Sequence, residues 1–176
     1  VPKKGAGKGG RARPVRTVVF CRTRAYAETI TELLSDSGVR AISLHGDLSQ
    51  SRRELNLAKF VEGRADVLVA TDVAARGIHV DDVAGVVHFD PPEDAATYVH
   101  RSGRTARAGA SGVVLSMVEP SERKSTTGMQ RKLGLPMGVG QPDIAEVREL
   151  HGSRGTRDSR VRVEPAPVER SVAQQP

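Results

Sequence analysis

Apolar residues in this chain fall into short β-branched runs separated by segments with helical spacing. Arg16 to Cys21 contains Val18-Val19-Phe20-Cys21 and reads as a strand buried on both faces. Thr23 is placed to cap a helix over Arg24 to Ser37, with Ala27, Ile30, Leu33 and Leu34 on one face and Gly38 as its stop. A second strand covers Arg40 to Leu44 and runs into His45-Gly46-Asp47. Ser49 then caps a helix to Glu62, with Leu55, Ala58, Phe60 and Val61 as candidate core residues and Gly63 as its end. Asp66 to Ala70 is a third strand, followed by a short helical turn from Thr71 that Gly77 breaks. Val83 to Phe89 is the fourth strand, stopped by Pro91-Pro92. Glu93 to Arg101 reads as a helix, Gly112 to Val118 as the fifth strand and Ser121 to Leu133 as the last helix. Strand and helix alternating five times predict an α/β fold, with a parallel sheet sandwiched between helices.

The ends differ from this middle. Residues 1–14 are rich in Gly, Lys and Arg and read as a disordered basic arm or linker. Residues 15–134 are the expected folded domain, and residues 135–176 a largely disordered extension, with no packed core beyond Leu150. Gly5-Ala6-Gly7-Lys8 is not a phosphate loop: the spacing is wrong, no strand precedes it and no Ser or Thr follows the lysine. The net charge of +6 belongs to the arm, because residues 1–16 hold six Lys/Arg and no acid while residues 17–150 hold 16 basic against 18 acidic. An anion site in the folded part therefore has to come from local placement. Cys21 is the single cysteine, which excludes an intrachain disulfide and points to a reducing, cytoplasmic compartment. No apolar run is long enough to span a membrane, so no membrane partner is expected.

In parallel sheets of this kind functional groups gather at the carboxyl ends of the strands. Those positions hold Arg22-Thr23, His45-Gly46-Asp47, Thr71-Asp72 and the stretch Tyr98 to Gly109, with arginines at 101, 104 and 107. Residues three apart on a helical turn share a face, so the spacing aims three guanidinium forks together, each matched to phosphate. Each position also has an ordinary structural use. Thr23 and Asp72 suit helix caps, Gly46 a turn, His100 a satisfied structural site, Gln50 and Arg53 a solvated surface, and the arginines a basic helix end.

Four segments in order decide between these readings. Thr17 to Thr23, Leu44-His45-Gly46-Asp47 with Gln50-x-x-Arg53, Val69 to Ile78, and His100 to Arg107 resemble motifs IV, IVa, V and VI of DEAD-box ATP-dependent RNA helicases, in their C-terminal RecA-like domain. The resemblance runs from about Arg16 to Met117. It implies a RecA-like sheet, ATP and Mg²⁺ as cofactors held mainly by an N-terminal lobe outside this sequence, and RNA and that lobe as partners. Ribonucleoprotein complexes are implied as further partners of the basic tails. By the same resemblance Arg22, Thr23, Gly46, Thr71 and Asp72 meet the RNA backbone, and Gln50 and Arg53 brace the RNA-binding loops. Arg76, Gly77 and His79 would line the ATP site, Arg104 and Arg107 would be arginine fingers, and His100 and Arg101 would couple the lobes.

Two departures stand out. The family usually has aspartate where this chain has His79, which removes a carboxylate acceptor for the ribose. Ala106 stands where glycine is common, by one methyl a mild change. The sequence contains no Walker A loop and no Asp-Glu-Ala-Asp stretch, so no metal-ligand set is evident, and the chain alone is expected neither to hydrolyse ATP nor to unwind duplexes. Five Phe and Tyr with no Trp leave few stacking platforms, which favours binding to the backbone of the strand. The mechanism implied is a two-lobe clamp that closes on ATP and RNA together. Two other readings stay open: a stand-alone RNA-binding or regulatory module without ATPase activity, and the lobe of a related DNA helicase.

Overall fold

The computed structural model describes residues 16–76, 80, 83–106 and 112–140. Thr17–Cys21 (β1) leads through Arg24–Asp36 (α1) to Ala41–Leu44 (β2), and Gln50–Val61 (α2) leads to Val67–Thr71 (β3). A single turn, Asp72–Ala75 (α3), precedes Gly85–His88 (β4), Ala95–Ser102 (α4), Val113–Ser116 (β5) and, after a 3₁₀ turn at Pro120–Glu122, Arg123–Leu133 (α5). The strands pair in parallel in the order β2-β3-β1-β4-β5. The α/β fold read from the alternation is the fold observed. Strand ends are shorter than the pattern suggested, as at β4, where Val83 forms only an isolated bridge to Thr105.

Alternation along β1 sorts the core into two layers. Val18 and Phe20 join Leu44, Phe60, Leu68, Val86, Tyr98 and Val114 on one face. Val19 and Cys21 join Ala27 and Val69 on the other, closed by Ile30 and Leu34 of α1. The two clusters run along the central strands, as sheets covered on both faces require, with Thr71 and His88 as buried polar residues at the ends of β3 and β4.

Three expected core residues lie at the surface: Leu33 is 61%, Leu55 42% and Val61 53% exposed. The buried stripe of α1 is Ala27, Ile30 and Leu34, so Leu33 is turned about 100° away from it. In α2 the inward stripe is Asn56, Leu57 and Phe60, with Leu55 and Val61 flanking it. Asn56 is buried because its amide donates to the Ser43 carbonyl at 2.9 Å. The chain stays packed beyond α5, where Gln130 donates to the Gly138 carbonyl at 2.9 Å. Among the described residues no helix is long and apolar enough to cross a membrane.

Candidate functional site

The direction of winding reverses between β1 and β4, since α1 leads away to β2 and α4 to β5. Sheets of this type open a crevice at such a point, outside the strand ends. A cleft of about 550 Å³ lies there, lined by Arg22 after β1, Thr71 to Arg76 after β3, Pro91 to Asp94 after β4, and His100, Arg101 and Arg104. Seven of the expected site residues thus converge on one cavity from three separate stretches of sequence.

Arg101 forms its floor. The guanidinium is 5% exposed, donates through Nε and Nη2 to the two carboxylate oxygens of Asp72 at 2.7 and 2.6 Å, and through Nη1 to the Asp90 carbonyl at 2.8 Å. It also lies over the Phe20 ring, 5.4 Å from the centroid. The expectation of three arginines sharing a helical face is corrected here. α4 ends at Ser102 with Gly103 as its cap, so Arg104 stands beyond the helix and its direction is set by the turn. Arg104 lines the cleft, and it also borders a small apolar slot with Val18, Phe20, Leu68 and Ala75. Its backbone carbonyl accepts from the Val83 amide at 3.2 Å, and the Thr105 hydroxyl donates to the Val83 carbonyl at 2.6 Å. The next residue, Ala106, has φ +55°, a left-handed conformation. Gly112 backs this turn: a Cβ there would collide with the Thr105 hydroxyl and come within 2.7 Å of the Ala106 nitrogen.

Thr71 is the cap residue of α3, and its side chain makes no capping bond. Asp72, read as a possible cap, is the first helical residue, and both its oxygens face Arg101. Thr23 does cap: its hydroxyl accepts from the Tyr26 amide at 3.2 Å. The Arg22 amide donates to Asp90 at 2.6 Å, while its half-exposed guanidinium stands 4.0 Å from Glu93 and 3.8 Å from Glu122. His100 and Arg76 are exposed on the cleft wall.

Gly46, Gln50 and Arg53 lie outside this cleft, at the β2 side of the sheet. The strand order β2-β3-β1 sets Gly46, Thr71 and Arg22-Thr23 side by side along one rim, at the roughly 4.8 Å spacing of neighbouring strands. A Cβ on Gly46 would meet nothing within 4 Å, and its φ is not in the left-handed region, so internal packing does not demand glycine there. Arg53 donates to the Ala74 carbonyl at 3.4 Å and ties α2 to α3, and Arg24 pairs with Asp47 across the rim. Gln50 donates to Glu54 of its own helix at 2.7 Å. Gly77, His79 and Arg107 lie outside the described residues.

Below the floor the polar groups are held in neutral form. Burial, with help from the Arg101 charge, pushes His88 down to about 3, and its Nδ1 pairs with the Ser116 hydroxyl at 2.8 Å. Burial first, then the neighbouring Asp90 carboxylate, pushes the Cys21 thiol up to about 12, which makes it a poor nucleophile. No group of three or more His, Cys, Asp or Glu side chains able to hold a metal comes together among the described residues. With the Asp72 oxygens taken up by Arg101, this part of the chain does not fit a Mg²⁺ ion. Asp90 and Gly112 carry the architecture of the site without belonging to any segment singled out in the sequence; their partners are 68 and 7 residues away, so no local pattern reveals them.

A family profile described as the helicase conserved C-terminal domain matches residues 10–109. Nucleolar RNA helicase 2-A of Xenopus laevis is 42% identical over 133 residues, covering 75% of this chain and 18% of that protein. DEAD-box ATP-dependent RNA helicase CshA of Bacillus subtilis is 42% identical over 137 residues, covering 77% of this chain and 28% of that protein. Among solved structures, S. cerevisiae Dbp5 bound to RNA and ADP BeF3 superposes with a TM-score of 0.70 at 34% identity, over 79% of this chain and 38% of that one. The chain spans less than a third of the length of these curated relatives.

Proposed function

Because the chain belongs to the helicase conserved C-terminal domain family, as part of its DEAD-box RNA helicases, we propose that it is the second lobe of an ATP-dependent RNA helicase. In this reading it binds the RNA backbone along its rim and presents arginines to ATP from its cleft. One observation carries the reading. Sheet order lines up Gly46, Thr71 and Arg22-Thr23 on a single track, and the adjoining cleft wall holds Arg76, His100 and Arg104.

The chemistry follows from these placements. Exposed amides and hydroxyls at strand-to-helix junctions donate to phosphate whatever the base. Gly46, without a side chain, lets the sugar-phosphate chain come close to the β2 end. Arg104, with Arg107, meets charge developing on the transferring phosphoryl group, where a fixed cation in a water-poor cleft acts most strongly. Arg101 and Asp72 hold the floor against which the Thr71 end of the track and the arginine turn keep their spacing. His100, on the wall, faces the partner lobe. Mg²⁺ is assigned to that facing lobe, because these residues do not fit it.

The test uses the two-lobe enzyme. Arg104→Ala is expected to lower RNA-stimulated kcat by about 10³-fold with RNA affinity retained. Gly46→Glu is expected to weaken RNA binding at least about tenfold. An Arg104→Ala enzyme with parental turnover would end the arginine-finger reading, and phosphate release by this chain alone would end the division of labour between lobes.

A further inference from the structure

α5 does not line the cleft, yet among the described helices it carries the most cations. Its 11 residues, Arg123 to Leu133, include Arg123, Lys124, Arg131 and Lys132 and no acid. All four cations are exposed, while Thr126, Gln130, Met129 and Leu133 face the core. Lys124, Gly128, Arg131 and Lys132 are spaced i, i+4, i+7 and i+8, so they share one outward face about 12 Å long. Glycine weakens a helix interior, and here nothing inside the protein asks for it: a Cβ on Gly128 would meet no atom within 4 Å. The result is a notch with cations at both ends.

The N-terminal end of the helix that carries this face adjoins the rim. Glu122, the residue before α5, stands 3.8 Å from Arg22, the last position of the proposed track. The far end of α5 is near the cleft lip as well: Asp94 is held below the usual carboxylate range by the Thr97 amide first, and also by the Lys132 charge. With residues 17–150 balanced slightly acidic, four cations without an acid on one helix are a local concentration of charge.

We propose that the Lys124, Gly128, Arg131 and Lys132 face of α5 is a second phosphate-backbone contact for RNA, receiving the strand as it leaves the rim beside Arg22. The inference rests on the RNA reading above. RNA is the occupant that the position favours, since the face continues a track already read as backbone-binding, and backbone contacts need cations and close approach but no base recognition.

The test measures binding of the full chain to a labelled single strand of about 20 nucleotides, over roughly 50 to 300 mM salt. Lys124→Gln/Arg131→Gln/Lys132→Gln is expected to bind about tenfold more weakly, with the slope of log affinity against log salt reduced by about 2, as the loss of three phosphate contacts requires. Gly128→Leu is expected to weaken binding several-fold with the slope unchanged and the helix signal retained. Gly46→Glu serves as the rim control. If Gly46→Glu weakens binding while both α5 variants bind as the parent does, this inference is overturned and the RNA reading stands. If all three variants bind as the parent does, the RNA reading falls and this inference with it. Loss of binding to anionic lipid vesicles without loss of binding to RNA would also overturn it.

Discussion

Arg101 in the floor of the cleft and Arg104 on its wall are three residues apart in one motif, and the fold uses them in opposite ways. The floor is buried and closed on itself: Arg101 gives its donors to Asp72 and Asp90, and the groups beneath it, His88 and Cys21, are held neutral. The wall and rim hold half-exposed and exposed groups, Arg104, His100, Arg76 and Gly46, on junctions between elements. A guanidinium buried beneath a cleft positions its neighbours. One on the cleft wall is within reach of what enters the cleft. Membership of a motif does not tell these positions apart, but burial does: Arg101 is 5% exposed and Arg104 is half-buried on the cleft wall.

The largest test of this contrast is to remove each arginine in turn. Arg101→Ala leaves Asp72 without its partner on the cleft floor and is expected to cost about 3 kcal/mol, toward the low end for a broken buried pair because Asp72 keeps 33% of its side chain exposed. Arg104→Ala is expected to cost less than about 1 kcal/mol. Urea unfolding of both variants checks this. Equal losses would mean that the floor and the wall are not distinct.

The division between legible and hidden features follows the reach of each interaction. Strand alternation, the Thr23 and Ser49 caps and the sheet class rest on neighbours within one or two turns, and the sequence shows them directly. The track of Gly46, Thr71 and Arg22 was visible only as three strand ends; their adjacency depends on β3 lying between β2 and β1. The shared face for Arg101 and Arg104 failed because a spacing of three has meaning only while the helix lasts, and α4 stops at Ser102. The burial of Asn56 leaves no local sign in the sequence, because its partner, the Ser43 carbonyl, is on another element.

Gly112 gives the next largest effect. Its Cβ position is filled by the turn that carries Arg104, so Gly112→Ala has to push Thr105 and Ala106 aside, at a cost of about 3 kcal/mol. The same change at Gly128, where a Cβ meets open space, is expected to stabilise by about 1 kcal/mol. Thermal unfolding of the two alanine variants reads both signs at once.

A pH series probes the floor from below. His88 binds a proton in the unfolded chain near its ordinary value of 6.5 but resists it in the folded state down to about 3. Between those values the unfolded state holds the extra proton, so stability is lost as pH falls. The His88 contribution to that loss is expected to be about 2 kcal/mol between pH 7 and pH 5. His88→Gln, which keeps a donor for Ser116 without the titration, should flatten this limb by that amount. An acid limb of unchanged steepness in the variant would show that His88 is not the buried neutral base.

The smallest effect lies in the turn itself, where losing a methyl group changes backbone freedom more than packing. Ala106 sits at φ +55°, a region that costs an L-residue roughly 1–2 kcal/mol and glycine almost nothing. Glycine gives part of that back, because it loses more freedom on folding, by about 0.5–1 kcal/mol. Ala106→Gly is therefore expected to stabilise by about 0.5 kcal/mol, a small rise in the urea midpoint with the slope unchanged. The sign is what matters. Ala106 follows Arg104 directly across Thr105, and Gly112 and Val83 grip this segment from either side. A gain would show that those contacts hold the turn in a backbone state its own residue disfavours, so that the arginine on the wall is aimed by its surroundings. A loss would mean that the alanine relaxes in solution to negative φ, and that the wall lacks the rigidity seen in the floor.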